Sequence, residues 1–193
     1  MVAESRPLRA DARRNRDRLL QAARDAFAAE GLSVSLDEIA RRAGVGPGTL
    51  YRHFPTKEAL FEAVVHERLD PLLAEARALR RADDAGAALF AFVERLVTDA
   101  ATKADLIDAI ASAGAELQTT VATTTAGLWE EIGHLLARAQ ASGAIRDDID
   151  IADLTAVLSG VLLALRHHAN QGANPHRTLA ILRDGLRPRP ATA

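Results

Sequence analysis

Hydrogen-bond donors and glycines are concentrated in one short stretch of the chain, GVGPGTLYRHFPTKEAL, at residues 44–60. Four polar side chains lie there almost in succession: Thr49, Tyr51, Arg52 and His53. Gly46 and Gly48 stand just before them, and a glycine backbone can approach a partner closely because it carries no Cβ. This combination suits contact with a polyanion such as the phosphate backbone of a nucleic acid.

Two helix patterns precede these donors. Residues 10–30 carry apolar side chains at helical spacing, and Gly31 ends that pattern. Ser35, with Glu38 three residues later, forms a capping box. It predicts a second, short helix that ends at Gly44.

A third helix carries the donors themselves. Pro47 suits its first position, where no backbone N–H is needed, and Pro55 limits the helix to about Phe54. Leu50 and Phe54 are four residues apart and share the face that we expect to be buried, which leaves the donors on other faces. Two short helices joined by a glycine turn make a helix-turn-helix, whose second helix fits the major groove of DNA.

The charge of the chain is unevenly distributed. Residues 1–57 hold 11 Lys/Arg against 7 Asp/Glu, whereas residues 58–193 hold 13 against 19. We therefore expect only the basic N-terminal part to bind a polyanion, although chance clustering of solvated charge would give the same counts. Alanine, leucine and arginine are abundant throughout, which favours helix nearly everywhere.

Several classes of protein are excluded or disfavoured. With no cysteine, the chain has no disulfide, thiolate nucleophile or cysteine-ligated metal. Its histidines form no H-x-x-x-H pair, and no P-loop, G-x-S-x-G motif or dinucleotide-binding turn is present. The N-terminus lacks the apolar segment of a signal peptide, and no apolar stretch is long enough to cross a bilayer. We predict a cytoplasmic protein that is not an enzyme and uses no metal, cofactor or membrane.

The N-terminal motifs resemble those of the TetR (tetracycline-repressor) family of bacterial transcription regulators. The resemblance is close over residues 10–62, in the segments RLLQAARDAFAAEGL, SLDEIARRAGVGPGTLYRHF and PTKEALFEAV. Beyond residue 70 it is looser, with SGAIRDDIDIADLTAVLSG similar to the stretch around the family's penultimate helix. The resemblance implies an all-α homodimer with helix-turn-helix heads, C-terminal ligand-binding and dimerisation domains, and a palindromic operator in double-stranded DNA.

The resemblance also implies roles for the matching residues of the head. Four would contact phosphates: Ser35, Tyr51, His53 and Lys57. Three would lie nearest base edges or the DNA backbone: Gly46, Pro47 and Thr49. Gly48 lies within the same predicted DNA-binding surface, and Arg52 would reach a base or a phosphate. Pro47 stands where many family members have a polar or charged residue, which restricts base readout to Thr49, Arg52 and apolar contact with thymine methyl groups.

We divide the chain into four segments. A disordered arm at 1–9 precedes the helix-turn-helix domain at 10–57. A ligand-binding and dimerisation domain at 58–187 is followed by a disordered tail at 188–193. Within the large domain, Asp70-Pro71 is expected to break or kink a helix.

Two sets of residues in the large domain are candidates for its functions. Aromatic and histidine side chains are the candidates for a ligand pocket: Phe90, Phe92, Trp129, His134 and His167. Core, interface or helix-end roles would explain each of them as well. By resemblance to a bundle across a two-fold axis, apolar residues of two helices are assigned to the dimer interface: Leu128, Ile132, Leu135, Leu154, Val157, Leu158, Val161 and Leu165. An intramolecular core is the alternative for this second set.

Together these features predict a sequence-specific DNA-binding transcriptional regulator. We expect a repressor released from a palindromic operator by a small molecule bound in the C-terminal domain. One alternative is a DNA-binding regulator without a small-molecule ligand, controlled by a protein partner. Another is a small-molecule-binding or enzymatic helical protein whose helix-turn-helix head does not bind DNA.

Overall fold

All the secondary structure that the computed structural model describes, at residues 5–102, 115–167 and 174–188, is helical, which confirms the all-α prediction. The helices are α1 (Ser5–Glu30), α2 (Leu36–Ala43), α3 (Pro47–His53), α4 (Lys57–Leu79), α5 (Ala85–Thr102), α6 (Ala115–Ala141), α7 (Ile151–His167) and α8 (Pro175–Leu186), with a 3-10 turn at Gly31–Ser33. The described residues form two compact units. One contains residues 5–68 and 115–124, and the other contains residues 69–102, 125–167 and 174–188.

The first unit contains the head, which is built from α1, α2, α3 and the start of α4. Its core combines the apolar stripe of α1 with Ile39 of α2 and Leu50 of α3, both of which are fully buried. The rings of Phe27 and Phe61 meet edge to face, with centroids 5.5 Å apart. Helices as short as α2 and α3 are not stable alone, so this core is what holds them in place.

Hydrogen bonds and backbone angles confirm the predicted helix limits around α2 and α3. Ser35 Oγ accepts the backbone N–H of Glu38 at 3.2 Å and so caps α2. Gly44 follows α2 in the left-handed conformation, with φ 64°. Pro47 is the first residue of α3, and Thr56 Oγ1 accepts a backbone N–H at 3.1 Å in the first turn of α4.

Two other limits differ from the prediction. The first helix begins at Ser5, so residues 5–9 are helical and not a disordered arm. Pro7 allows this start because first-turn N–H groups have no intrahelical acceptor. The fourth helix continues through Pro71, so of the predicted break or kink the break does not occur. The proline removes the backbone donor to the carbonyl of Glu67. Residues 1–4 of the arm and 189–193 of the tail lie outside the described residues.

In the second unit, α5 packs against α7 and α8. The largest fully buried side chains of this core include Leu89, Phe92, Ile132, Leu135 and Ile145. Asp84 Oδ1 caps α5 by accepting a backbone N–H at 2.8 Å, and Asp150 Oδ1 caps α7 in the same way. Aspartate is a favourable capping residue, so these side chains fix where the two helices start.

A polar cluster fastens the C-terminal end of α4 to α6 within the second unit. The carboxylate of Glu131 is buried and accepts from Arg77 Nε at 3.1 Å and Arg80 Nη1 at 3.4 Å. Arg138 donates from Nη1 to the carbonyl oxygen of Leu79 at 3.2 Å. A cation at the carbonyl end of a helix compensates its partial negative charge, so this arginine stabilises the end of α4.

The residues predicted for the dimer interface differ in how far they are buried within one chain. Six of the eight candidates are buried: Leu128, Ile132, Leu135, Leu154, Leu158 and Leu165. Side chains that their own chain already covers have little area to offer a partner. Of the eight, Val157 is 48% exposed and Val161 is half-buried.

Replacing Gly44 by alanine should destabilise the head. Its φ of 64° is a conformation that costs an L-residue about 1–2 kcal/mol. The nearest atom to the added methyl group would be Arg18 Nη1 at 4.0 Å, so the cost is conformational and not steric. Urea unfolding followed by circular dichroism should show a lower free energy of unfolding.

Gly48→Ala is the matched control in the same head. Nothing lies within 4 Å of its added methyl group, and alanine favours a helix over glycine by about 1 kcal/mol. This variant should be at least as stable as the wild-type protein. Equal stability of the Gly44→Ala variant and the wild type would contradict our account of the turn.

Candidate nucleic-acid interface

The turn between α2 and α3 is closed by backbone hydrogen bonds. The N–H of Val45 donates to the carbonyl of Ala40 at 3.0 Å, an arrangement that requires the left-handed conformation of Gly44. Val45 itself is buried. The carbonyl of Gly46 accepts the N–H of Thr49 at 2.9 Å and starts α3. The turn therefore fixes the direction in which α3 leaves the core.

One side of α3 is buried and its other sides are accessible. Leu50 is 0% exposed and Phe54 is 4% exposed, as their spacing predicts. The remaining positions from 46 to 53 are accessible to different degrees: Gly46, Pro47, Gly48, Tyr51 and Arg52 are exposed, and Thr49 and His53 are half-buried. The structure thus places the predicted DNA-contact residues of α3 on the accessible sides of one short helix.

The predicted phosphate-contact residues around α3 are held by neighbours in the head. The hydroxyl of Tyr51 lies 3.4 Å from Oδ1 of Asp37 in the first turn of α2. Lys57 Nζ donates to the carbonyl of Leu32 at 2.9 Å, and the exposed Ser35 caps α2. The role of Asp37 was missed because no local pattern links it to a tyrosine 14 positions away; only tertiary packing brings them together.

The arginines of α2 are paired with carboxylates. Glu38 accepts from Arg41 Nε and Nη2, both at 2.7 Å, and from Arg42 Nε at 2.8 Å. Hydrogen bonds from Arg41 and then Arg42 lower the pKa of Glu38 to about 2. Hydrogen bonds to Glu30 and Glu38 raise the pKa of Arg42. The carboxylate of Glu38, which we predicted to complete the capping box with Ser35, thus compensates the positive charge of the two arginines in α2.

The predicted ligand-contact residues have different surroundings. Phe92 is fully buried and belongs to the core of the second unit. Phe90 is half-buried, with the guanidinium carbon of Arg183 5.4 Å from its ring centroid. Trp129 is half-buried, His134 is exposed, and the side chain of His167 lies outside the described residues. The contacts described for these residues do not bring the five together around one ligand.

A groove with a volume of about 280 Å³ lies between α7 and α8. Its lining is mainly apolar and includes Ile149, Leu154, Val157, Ile181, Leu182 and Leu186. None of the five predicted ligand-contact residues lines it. Val157 is 48% exposed and Ile181 is 74% exposed, so the groove presents apolar side chains to solvent.

Within the described residues, no group of three or more histidine and acidic side chains could hold a metal ion. No helix in that part of the chain is both long and apolar enough to cross a bilayer.

Comparison with known proteins gives two family matches. Residues 19–64 match "Bacterial regulatory proteins, tetR family". Residues 84–188 match "Transcriptional regulator SbtR-like, C-terminal domain", and this match alone covers more than half of the chain. The chain belongs to the TetR family.

Individual TetR-family relatives match part or nearly all of the chain. The HTH-type transcriptional regulator SrpR of Pseudomonas putida is 42% identical over 69 residues, 35% of this chain and 32% of that protein. A TetR regulator of Mycobacterium vanbaalenii with a known crystal structure is 44% identical, covering 94% of this chain and 99% of its own, with a TM-score of 0.66. SCO0520 of Streptomyces coelicolor is 36% identical, with coverages of 91% and 99% and a TM-score of 0.60. The match spans about a third of the length of the curated relatives and nearly all of these crystallised chains.

Membership of the TetR family makes this chain a DNA-binding transcriptional regulator. Its relatives are regulators and not enzymes. All nine residues that we predicted to contact DNA, from Ser35 to Lys57, lie inside the match to the tetR family at residues 19–64. The assignment of contacts to individual residues remains a prediction.

The pairing of Glu38 predicts that acid weakens the head of this TetR-family protein. Its pKa falls from 4.5 to about 2 on folding. A lowered carboxylate pKa contributes stability that is present above about pH 4.5 and is lost as the pH falls towards 2. The Glu38→Gln variant should be less stable than wild type at neutral pH, and that difference should shrink on acidification.

Thermal unfolding followed by circular dichroism across this pH range measures the difference. Glu94→Gln, which changes an exposed glutamate within α5, is the control. A difference in unfolding temperature between wild type and Glu38→Gln that stays constant from about pH 5 to about pH 2 would show that the ion pairs do not stabilise the head.

Proposed function

We propose that this protein is a repressor that binds a palindromic operator as a homodimer and is released by a small molecule bound in its second unit. The observation that carries the DNA-binding part is the anchoring of α3. Leu50 and Phe54 hold the helix in the core, while its other side chains remain accessible in the basic part of the chain. A helix held in this way fits the major groove.

In the proposed complex, the first turn of α3 faces the base edges. Gly46, Pro47 and Gly48 have small or absent side chains, so the helix backbone can approach the bases closely. Thr49 and Arg52 supply the donors for base readout. Phosphates on either side are bound by Ser35, Tyr51, His53 and Lys57. Tyr51 turns its hydroxyl from Asp37, 3.4 Å away in the free protein, towards a phosphate.

Release by a ligand follows from a shift between two states of the dimer. The ligand must bind more tightly to the state whose heads do not match the operator, because equal affinity for both states shifts nothing. We assign the coupling to α4, which has residues in both units. Thr56 caps its first turn in the first unit, and Arg138 binds its last turn in the second.

We place the dimer contact on the exposed apolar side chains of α7 and α8, with a second copy of the chain as the occupant. TetR-family regulators act as dimers. Val157 and Ile181 are largely exposed and line the same groove. Apolar side chains exposed together on two neighbouring helices are what a self-complementary contact across a two-fold axis requires.

Selection of genomic DNA fragments by the purified protein tests the proposed function. We expect enrichment of a palindrome, bound by a dimer. Tyr51→Ala should weaken binding to that fragment about tenfold or more, because a hydrogen bond to a charged phosphate is lost. Tyr51→Phe, which removes only the hydroxyl, serves as the matched variant.

Three outcomes would count against parts of the proposal. Salt-sensitive binding without sequence preference would rule out an operator. Unchanged affinity of Tyr51→Ala would contradict the docking of α3. A recovered palindrome whose affinity responds to no small molecule would favour control by a protein partner.

Ile181→Asp should disrupt the dimer. A carboxylate placed at the centre of an apolar contact loses its hydration without gaining a partner, and its burial is strongly unfavourable. Sedimentation velocity should show a shift from dimer towards the 20.6 kDa monomer, together with weaker operator binding. Ala91→Asp, at an exposed alanine of α5, is the control and should remain dimeric. A dimeric Ile181→Asp protein would place the interface elsewhere.

A further inference from the structure

The N-terminal part of α1 is an exposed, basic helical segment. None of residues 10–18 is buried; burial begins at Leu19 and Leu20, which are both 0% exposed. This segment, ADARRNRDR, has four arginines and two aspartates. We call residues 10–18 the basic segment. It extends α1 beyond the part that packs in the head core.

Two arginines of the basic segment lie beside the helix-turn-helix. The guanidinium carbon of Arg16 is 5.7 Å from the ring centroid of Phe54, the residue that follows α3. Arg18 Nη1 lies 4.0 Å from the position that a Cβ on Gly44 would occupy, at the turn before α3. The basic segment is therefore placed next to the helix that we propose enters the major groove.

Helix stability alone does not account for this charge. Arg14 pairs with Asp11 along the helix, but the basic segment has twice as many arginines as aspartates. An unpacked helix end with excess positive charge is favoured when an anion lies against it.

Three other cations of the head have protein partners. Arg41 and Arg42 bind Glu38, and Lys57 donates to a backbone carbonyl. Arg13 and Arg16, by contrast, are exposed on a segment with an excess of positive charge, and Arg16 lies over an aromatic ring that leaves its guanidinium edge able to donate.

We propose that the basic segment is a second DNA-contact surface, in which Arg13 and Arg16 bind backbone phosphates next to the site occupied by α3. This inference rests on the proposed function, since it requires the heads to dock on DNA. The contacts add affinity and fix the orientation of the head, and they read no base sequence. In a dimer, each head contributes one such pair.

The double variant Arg13→Ala/Arg16→Ala tests the proposal. Alanine is the best helix former, so the segment can stay helical. Fluorescence anisotropy with a labelled duplex from the genomic selection, and with its scrambled version, gives affinity between about 50 and 200 mM salt. Each lost phosphate contact should reduce the slope of log affinity against log salt by about 1, so a dimer that loses all four contacts should lose about 4. Affinity should fall by a similar factor on both duplexes.

Two control proteins separate charge from other effects. Arg13→Lys/Arg16→Lys keeps both charges and should retain most of the wild-type salt slope. Arg81→Ala, at an exposed arginine after α4 in the second unit, removes one positive charge that is not part of the head and should bind as wild type does. Thermal unfolding should show that the head is intact in every variant.

The outcomes distinguish this inference from the function on which it rests. Wild-type affinity and salt slope in the double alanine variant, with normal binding by the wild-type protein, would overturn the second surface alone. A loss confined to the selected duplex would also overturn it, because phosphate contacts act on every sequence. Failure of the wild-type protein to bind any duplex would overturn the proposed function as well.

Discussion

The burial of two side chains, Leu50 and Phe54, is the constraint on which the DNA-binding surface depends. Helix α3, which contains Leu50 and ends just before Phe54, has seven residues. This is about half the length at which an isolated helix becomes even marginally stable. Its position is therefore set by what it buries and by the turn before it. Because both anchors lie on one side, the other positions are available for contact with DNA. The backbone geometry of Gly44 belongs to the same constraint, since it directs α3 onto the core.

Ion pairs, as well as the composition of the chain, determine which surfaces of the head carry net positive charge. A count of residues 1–57 shows an excess of basic side chains, but Glu38 and Glu30 compensate the two arginines of α2. The positive field therefore comes mainly from other parts of the head, with α1 among them. A carboxylate in α2 also contacts the only tyrosine. Attraction to DNA is thus concentrated on particular surfaces, where it can orient the head as well as bind it.

Local signals in the sequence mark where several helices start. Ser35, Thr56 and Asp84 mark helix starts because their oxygen atoms accept backbone N–H groups, a relation that spans only three residues. Features that depend on contacts between residues far apart in the sequence were less predictable. The apolar pattern that identified Leu128 and Leu154 as buried could not show which surface covered them, and they belong to the core of one chain. The contact of Tyr51 with Asp37 was missed for the same reason.

The first turn of α3 has a consequence for the DNA sequences that such a regulator can control. Pro47 and Gly48 present one ring and one hydrogen atom where longer polar side chains could distinguish bases. A protein with few donors at these positions extracts little information from each base pair. Its discrimination then depends more on groove width and on how easily a sequence bends. Under the proposed docking, its binding sites in a genome would have groove width and bendability in common more than base sequence. New sites could then arise through few base changes.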